Sequence, residues 1–195
     1  MKKRIGIFGG AFNPVHKGHV QAVDSFLKSG MIDKLLVLPT PAPPHKSSEG
    51  LIDFRHRMEM LKRAFSNYEN VTVSDLEAQL PAPSYSLQTI DHLISQNPDN
   101  LYYLCLGEDS IVHFDTWYKF DEILNKVNLL VAERPGFDSY KVSENILEKT
   151  IFVDHTPVDY SSTEFRNPVK NADDSLLPKQ VIDYIKEQNL YSEKY

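Results

Sequence analysis

The sequence has a single cysteine in 195 residues, Cys105, set within the apolar run LYYLCLG. One thiol excludes an internal disulfide framework and points to a reducing compartment. A long hydrophobic run is also missing. The opening MKKRIGIFGG has a basic tip, but its apolar stretch breaks at Gly9-Gly10. That is too short for a signal-peptide core, and nothing downstream reaches the length of a membrane span. The expected location is therefore the cytoplasm, with no membrane partner. Positive charge is scarce as well, since 27 acidic against 21 basic side chains leave a formal net charge of −6. With no basic stripe interleaved with aromatics, nucleic acid is not an expected partner, and an anionic ligand must be held by a local cluster. Three familiar motifs are absent. GIFGGAFNP departs from G-x-G-x-x-G in its spacing, no G-x-x-x-x-G-K-[ST] occurs, and no HExxH or carboxylate at ligand spacing makes a zinc site of His16 and His19. No protein-borne metal site is expected.

What is present reads as one soluble globular domain. Apolar residues make up 41% and charged residues 25%, enough to bury a core while keeping an ordinary solvated surface. The 195 residues form one domain, with a helical segment over about 160–195 packed on it. RIGIF (4–8), KLLVLP (34–39), VTVS (71–74), LYYLCLG (101–107), VNLLVAE (127–133) and TIFVD (150–154) read as strands. Helices are predicted over 19–29, 53–66, 85–96, 161–168 and 178–188. The Pro- and Ser-rich 40–50 stretch and the 135–145 stretch read as loops. Strand and helix alternate, so the predicted fold is α/β, a Rossmann-like doubly wound parallel sheet with helices on both faces. Ligands of such sheets bind beyond the carboxyl ends of the strands, where the strand order reverses.

The stretch GGAFNPVHKGH (9–19) follows the first strand directly. A helix beginning near Lys17–Gly18 would aim its free amides and its dipole at whatever His16 and His19 face. Gly18 leaves room for a phosphate to approach the backbone. Two histidines three apart are otherwise commonly surface or capping residues. As GGxFxPxHxGH, the pattern resembles the HxGH nucleotidyltransferase superfamily. Further stretches resemble the bacterial nicotinate-mononucleotide adenylyltransferases in order along the chain: PTPAPPHK (39–46), PSYSLQTI (83–90), GEDSIVHFDTWY (107–118), ERPG (133–136), YSSTEFR (160–166) and LPKQVIDYIKEQNLY (177–191).

The resemblance implies adenylyl transfer from ATP, with Mg2+, to nicotinate mononucleotide, giving deamido-NAD and pyrophosphate. The attacker is the substrate's own ionised phosphate, so the site must supply alignment and charge neutralisation instead of a nucleophile. His19 is expected to stabilise the α-phosphate, with His16 beside it and Lys46 and Arg166 on the phosphate tail. Lys17 is expected to face solvent. ATP contacts are implied for Gly9, Gly10, Phe12, His16, Gly18 and His19, and for Gly107, Asp109 and Arg134. Ser161, Ser162, Thr163 and Arg166 complete the ATP set. A Ser/Thr cluster also caps helices, so both roles stand for 161–163. Asp109 is either a ribose acceptor or the N-cap of a short helix from Ser110. Arg134 is either a phosphate ligand or a surface ion-pair partner. Composition alone makes Trp117 a core residue. The resemblance instead stacks it on the pyridine ring with Tyr118 nearby, and lines the rest of that pocket with Ser84, Tyr85 and Ser86, with Lys46 reaching the substrate phosphate.

The chain departs from the family's pattern at three places. Asn13 stands where many members have Asp, Ser86 where they have Thr, and Tyr160 with Glu164-Phe165 alters the surroundings of the family's ISSTxIR signature. Another HxGH transferase, acting on pantetheine phosphate or on cytidine nucleotides, shares the opening motif but is not expected to carry PPHK, SYS and WY together. A non-catalytic nucleotide sensor on the same fold would have no need of the whole set His16, His19, Lys46 and Arg166. Nothing in the sequence singles out a monomer over a homo-oligomer.

Overall fold

The computed structural model describes residues 2–41, 50–133, 139–156, 162 and 176–191. Six strands form one all-parallel sheet: β1 (Arg4–Gly10), β2 (Lys34–Pro39), β3 (Val71–Val73), β4 (Leu101–Gly107), β5 (Asn128–Glu133) and β6 (Thr150–Asp154). Their spatial order is β3-β2-β1-β4-β5-β6. The chain lays β1 to β3 outward in one direction, then returns to the centre and lays β4 to β6 in the other. The reversal lies between β1 and β4, which pair in parallel from Arg4↔Leu101 to Ile7↔Leu104. The doubly wound parallel sheet expected from the alternating pattern is borne out, and its crevice opens at the ends of β1 and β4.

The longer helices are α1 (Lys17–Lys28), α2 (Phe54–Ala64), α4 (Ser86–Gln96) and, near the C-terminus, α8 (Lys179–Glu187). Four short ones lie between them: α3 (Leu76–Gln79), α5 (Glu108–Ile111), α6 (Phe120–Leu124) and α7 (Glu144–Leu147). The first long helix begins at Lys17, two residues before the apolar periodicity that opens at 19 and in line with the start near Lys17–Gly18 taken for the histidine turn. The turn at 16–17 is already closed by the His16 carbonyl, which accepts from His19 N–H at 2.9 Å and Val20 N–H at 3.2 Å. The predicted helix over 161–168 lies outside the described residues except at Ser162.

Strand periodicity of two sends alternate side chains to two separate cores. Tyr103 and Cys105 of β4 and Leu130 of β5 pack on one face against Val23 and Phe26 of α1, Met60 and Leu61 of α2, and Val181 and Tyr184 of α8. Leu104 and Leu106 of β4 and Leu129 and Val131 of β5 pack on the other face with Leu87 and Ile90 of α4 and Ile123 of α6. Phe26 is fully buried, and truncating such a ring to Ala costs about 3–5 kcal/mol. Gly6 is where the first face closes most tightly. A Cβ there would lie 2.6 Å from Leu35 Cδ1 and 2.9 Å from Cys105 Sγ, so a side chain at that point would require the neighbouring side chains to shift.

Candidate active site

β1 ends in Gly9-Gly10, and the chain then turns into α1 through residues 11–16. Phe12 takes a left-handed φ of 46°, unusual for a residue with a side chain. The turn drives its ring into the core at 2% exposure. There it meets His19 edge-on at a centroid distance of 5.0 Å and Phe8 at 5.5 Å. Phe12 was expected among the ATP contacts; its ring instead forms the wall behind His19, because the apolar side chain gains more by burial than by facing a phosphate.

His16 is the N-cap of α1, extended at φ −135° and ψ 171°, and 8% exposed. Its backbone N–H donates to Nδ1 of His19 at 3.2 Å. With Nδ1 accepting, a neutral His19 carries its proton on Nε2, an assignment made from the hydrogen-bond network. The two imidazoles lie 3.7 Å apart between centroids, tilted by 36°. His19 thus stands on the first turn of α1 with one ring nitrogen committed to the backbone, beside the positive end of the helix dipole. Lys17 is exposed, as expected.

Arg57, which no sequence pattern singled out, fixes this loop from beneath. It is 1% exposed. Its guanidinium donates to four backbone carbonyls: Ala11 at 2.8 Å, Thr40 at 2.8 Å, Pro41 at 3.2 Å and Ile52 at 3.2 Å. Burial lowers its pKa, with Asp53 and Tyr191 opposing the shift. One side chain therefore ties the loop after β1 to the loop after β2. Asn13 adds a second tie. Its Nδ2 donates to the Gly50 carbonyl at 2.8 Å, while Oδ1 accepts from Ile52 N–H at 3.4 Å and from the Tyr191 hydroxyl at 2.9 Å. An Asp in this place would keep the acceptor and lose the donor, so the departure at Asn13 is built into the loop's hydrogen bonding. Ser162 donates from Oγ to the Pro14 carbonyl at 2.9 Å. This contact brings Ser162 to the histidine loop across 148 residues of sequence. Lys46, Arg134, Ser161, Thr163 and Arg166, all proposed phosphate ligands, lie outside the described residues.

Beside this loop a cavity of about 220 Å³ opens at the ends of β1 and β4. It is smaller than the roughly 300–1,000 Å³ of pockets that enclose a drug-sized ligand, and suits one ring with its substituent. Ser84, Tyr85 and Ser86, Trp117 and Tyr118 all line it, together with Gly9, Gly10 and Gly107. The structure therefore gathers the expected pyridine-pocket residues on one wall system. Tyr85 is the N-cap of α4, so the first turn of an 11-residue helix borders the cavity. Tyr85 and Tyr118 stack at 4.4 Å and 25°. Trp117 follows a 3₁₀ turn over Phe114–Thr116 and packs on Phe114 at 5.2 Å. It is half-buried, joining the second core at its edge while lining the cavity. Lys119, in a left-handed turn at φ 53°, places its ammonium 5.7 Å from the Tyr118 ring.

The expectation for Asp109 needs correction in part. The short helix begins at Glu108 with Gly107 as its N-cap, so Asp109 is an exposed residue within the first turn and not the cap. The reason is local: Gly107, extended at φ −79° and ψ 160°, already occupies the capping position. His56 and His155 pair with Tyr184 at 2.8 Å and Ser25 at 3.1 Å.

Glu77 on α3 is the other residue that sequence reading missed. It lines the cavity, is 6% exposed, and burial raises its carboxyl pKa against opposing hydrogen bonds from Thr40 and Thr89. Its helix spans four residues, too few for periodicity to register. Arg57 shares one helical face with the fully buried Met60 and Leu61, but a charged side chain on that face does not mark itself as buried.

The family described as cytidylyltransferase-like matches residues 7–168. The chain is 35% identical over 192 residues to the probable nicotinate-nucleotide adenylyltransferase of Streptococcus mutans, covering 97% of this chain and 89% of that one. It is 34% identical over 191 residues to the nicotinate-nucleotide adenylyltransferase of Bacillus subtilis, covering 97% and 98%. Among solved structures, the Plasmodium falciparum nicotinic acid mononucleotide adenylyltransferase complexed with APC superposes with a TM-score of 0.79. It shares 23% identity, with 97% of both chains covered. At that identity the likeness speaks for the fold.

Proposed function

This chain belongs to the cytidylyltransferase-like family, and from that premise we propose that it transfers the adenylyl group of ATP to nicotinate mononucleotide, giving deamido-NAD and pyrophosphate. One observation carries the reading. The Ser84–Ser86 helix start and the Trp117–Tyr118 turn, far apart in sequence, share a ring-sized cavity that also reaches Gly9 and Gly10 at the mouth of the histidine loop. A site for a flat ring thus adjoins a site for phosphates.

The reaction needs little covalent chemistry from the protein. The phosphate of the mononucleotide attacks the α-phosphorus of ATP in line, and pyrophosphate departs with the bond it breaks. His19 donates from Nε2 to an α-phosphate oxygen, its ring held by the His16 N–H bond and by Phe12. His16 and the first amides of α1 meet the neighbouring phosphate oxygens. Gly9 and Gly10 let ATP lie close to the end of β1, and Gly18 does the same at the helix start. Gly107 and the exposed carboxylate of Asp109 face the ribose. Lys46, Arg134 and the Ser161–Arg166 segment complete the phosphate set, with Ser162 already bonded to the histidine loop. At the other end, Trp117 and Tyr118 stack on the pyridine, and the start of α4 with Ser84, Tyr85 and Ser86 receives its carboxylate.

Mg2+ enters with ATP. Among the described residues no group of three His, Cys, Asp or Glu side chains could hold a metal; bound with ATP, the ion would take phosphate oxygens and water as its main ligands and would supply charge neutralisation on the polyphosphate. The cytoplasm fits the single buried thiol, and among the described residues no helix is long and apolar enough to cross a membrane.

The test is pyrophosphate release from ATP and Mg2+ with nicotinate mononucleotide, its amide and phosphopantetheine offered separately. Release with nicotinate mononucleotide is the expected result. Release with phosphopantetheine alone would overturn the assignment of the ring pocket, and no release with any acceptor despite ATP binding would favour a sensor.

A further inference from the structure

Among the described residues lining the cavity, Glu77 is the one with a formal charge. Its Oε1 accepts from the Thr89 hydroxyl at 3.4 Å, and Thr40 bonds the same carboxyl. Its Oε2 is buried and has no hydrogen-bond partner among the described residues. Among the described residues, the groups that bond it are hydroxyls. A buried carboxyl with an orphan oxygen is costly unless something completes it. Burial raises its pKa, because an ionised carboxylate is poorly solvated there, so a cation in the cavity would favour the charged form.

The remainder of the cavity says what kind of partner fits. Tyr85 and Tyr118 stack at 4.4 Å, Trp117 lies beside them, and Leu106 and Ile123 close the floor. Aromatic faces with a single carboxylate are the chemistry that recognises a flat organic cation. The mononucleotide of the reaction proposed above carries one. Its ring nitrogen is bonded to ribose, so the ring bears a formal positive charge.

We propose that Glu77 is a specificity-determining residue whose orphan carboxylate oxygen is the counter-charge to the pyridinium ring, so that the pocket selects the oxidised, cationic ring over a neutral one. The inference rests on the adenylyl-transfer reading and divides the pocket's selectivity in two. The start of α4 distinguishes the ring's carboxylate from an amide, because only the former carries charge to the helix dipole. Glu77 distinguishes the ring's oxidation state, because a dihydropyridine has nearly the same outline and no charge. Nicotinate mononucleotide is a zwitterion at the ring, and the cavity offers a positive helix end and a buried acid to match it.

The experiment measures pyrophosphate release by the wild type, Glu77→Gln and Glu77→Asp. Each enzyme is offered nicotinate mononucleotide, nicotinamide mononucleotide and 1,4-dihydronicotinamide mononucleotide. Gln keeps the shape and can still bond Thr89, so circular dichroism should show an unchanged fold. In Glu77→Gln, kcat/KM for both cationic-ring substrates is expected to fall about tenfold or more, that for the dihydro substrate to change less than about threefold, and the KM for ATP to hold. Glu77→Asp, which keeps the charge, should retain part of the preference. Equal losses for all three substrates, or an unchanged preference, would overturn the proposal and leave adenylyl transfer standing. A wild type that acts on none of the mononucleotides would instead defeat the reading on which the proposal rests.

Discussion

The two ends of the proposed site, the histidine loop for the phosphates and the cavity for the ring, are built by opposite means. The phosphate end is locked by hydrogen bonds from buried polar groups: Arg57 holds four carbonyls, Asn13 spans three segments, and His19 is pinned through Nδ1. The ring end is a set of aromatic faces, with Tyr118 46% exposed and a carboxyl left incompletely bonded. The contrast follows from what each end must do. Transferring a phosphoryl centre rewards donors fixed before the reaction begins, since reorganisation during it raises the barrier. Recognising a flat ring rewards accessible apolar faces, which gain area when the ligand arrives.

Variants at each end should break this contrast in different currencies. The largest effect is expected at Arg57. Arg57→Met strands four buried carbonyls, and with roughly 1–3 kcal/mol for each group left unsatisfied but partly relaxing, we expect a stability loss of about 4 kcal/mol in denaturant unfolding. Arg57→Lys should recover part of it, since an ammonium has three donors. An unchanged unfolding midpoint for Arg57→Met would mean that the two loops hold themselves. Next comes His19→Ala, which should lower kcat by about a hundredfold or more, roughly 3 kcal/mol, with little change in either KM. Near-normal turnover would remove His19 from the transition state. Trp117→Ala should raise the KM for the mononucleotide about tenfold, near 1.4 kcal/mol, and leave kcat and the KM for ATP almost unchanged. An effect confined to ATP would contradict stacking on the pyridine.

The smallest effect concerns stability and pH at Glu77. Its folded-state carboxyl is raised by burial above the ordinary value of 4.5. The folded protein therefore holds on to a proton that the unfolded chain releases, and stability is lost as pH rises through the raised value and regained on acidification. Glu77→Gln removes that penalty. Without ligand it should raise Tm at pH 7.5 by about 2–4 °C, the shift that roughly 1 kcal/mol produces at this chain length. The gain should vanish below pH 4, where both states are protonated. A lower Tm at pH 7.5 would mean that the carboxylate is structurally needed.

The parts legible in the sequence were those with a period or a motif. Alternating apolar strands fixed the sheet, because each of β4 and β5 feeds both cores and must be apolar throughout. The strand–glycine–histidine–helix order marked out the loop proposed for the phosphates, and SYS and WY, singled out by resemblance, line one cavity. Glu77 and Arg57 stayed hidden for physical reasons. A charged residue in an amphipathic segment ordinarily faces water, and only tertiary packing shows that Arg57 faces two loop backbones. A four-residue helix like α3 has no period, so nothing local says that its glutamate points inward. The cap at Gly107 was missed because a glycine after a strand reads as a stop, whereas here it also starts the next helix.

The most direct test of the division between the two ends is a fluorescence titration of Trp117, the sole tryptophan, with nicotinate mononucleotide in the wild type and in His19→Ala. The account predicts that the mononucleotide quenches both proteins to the same extent and with the same Kd within about twofold, while His19→Ala scarcely turns over. A Kd that rises in step with the loss of turnover, or a tryptophan that does not respond to the mononucleotide, would contradict it.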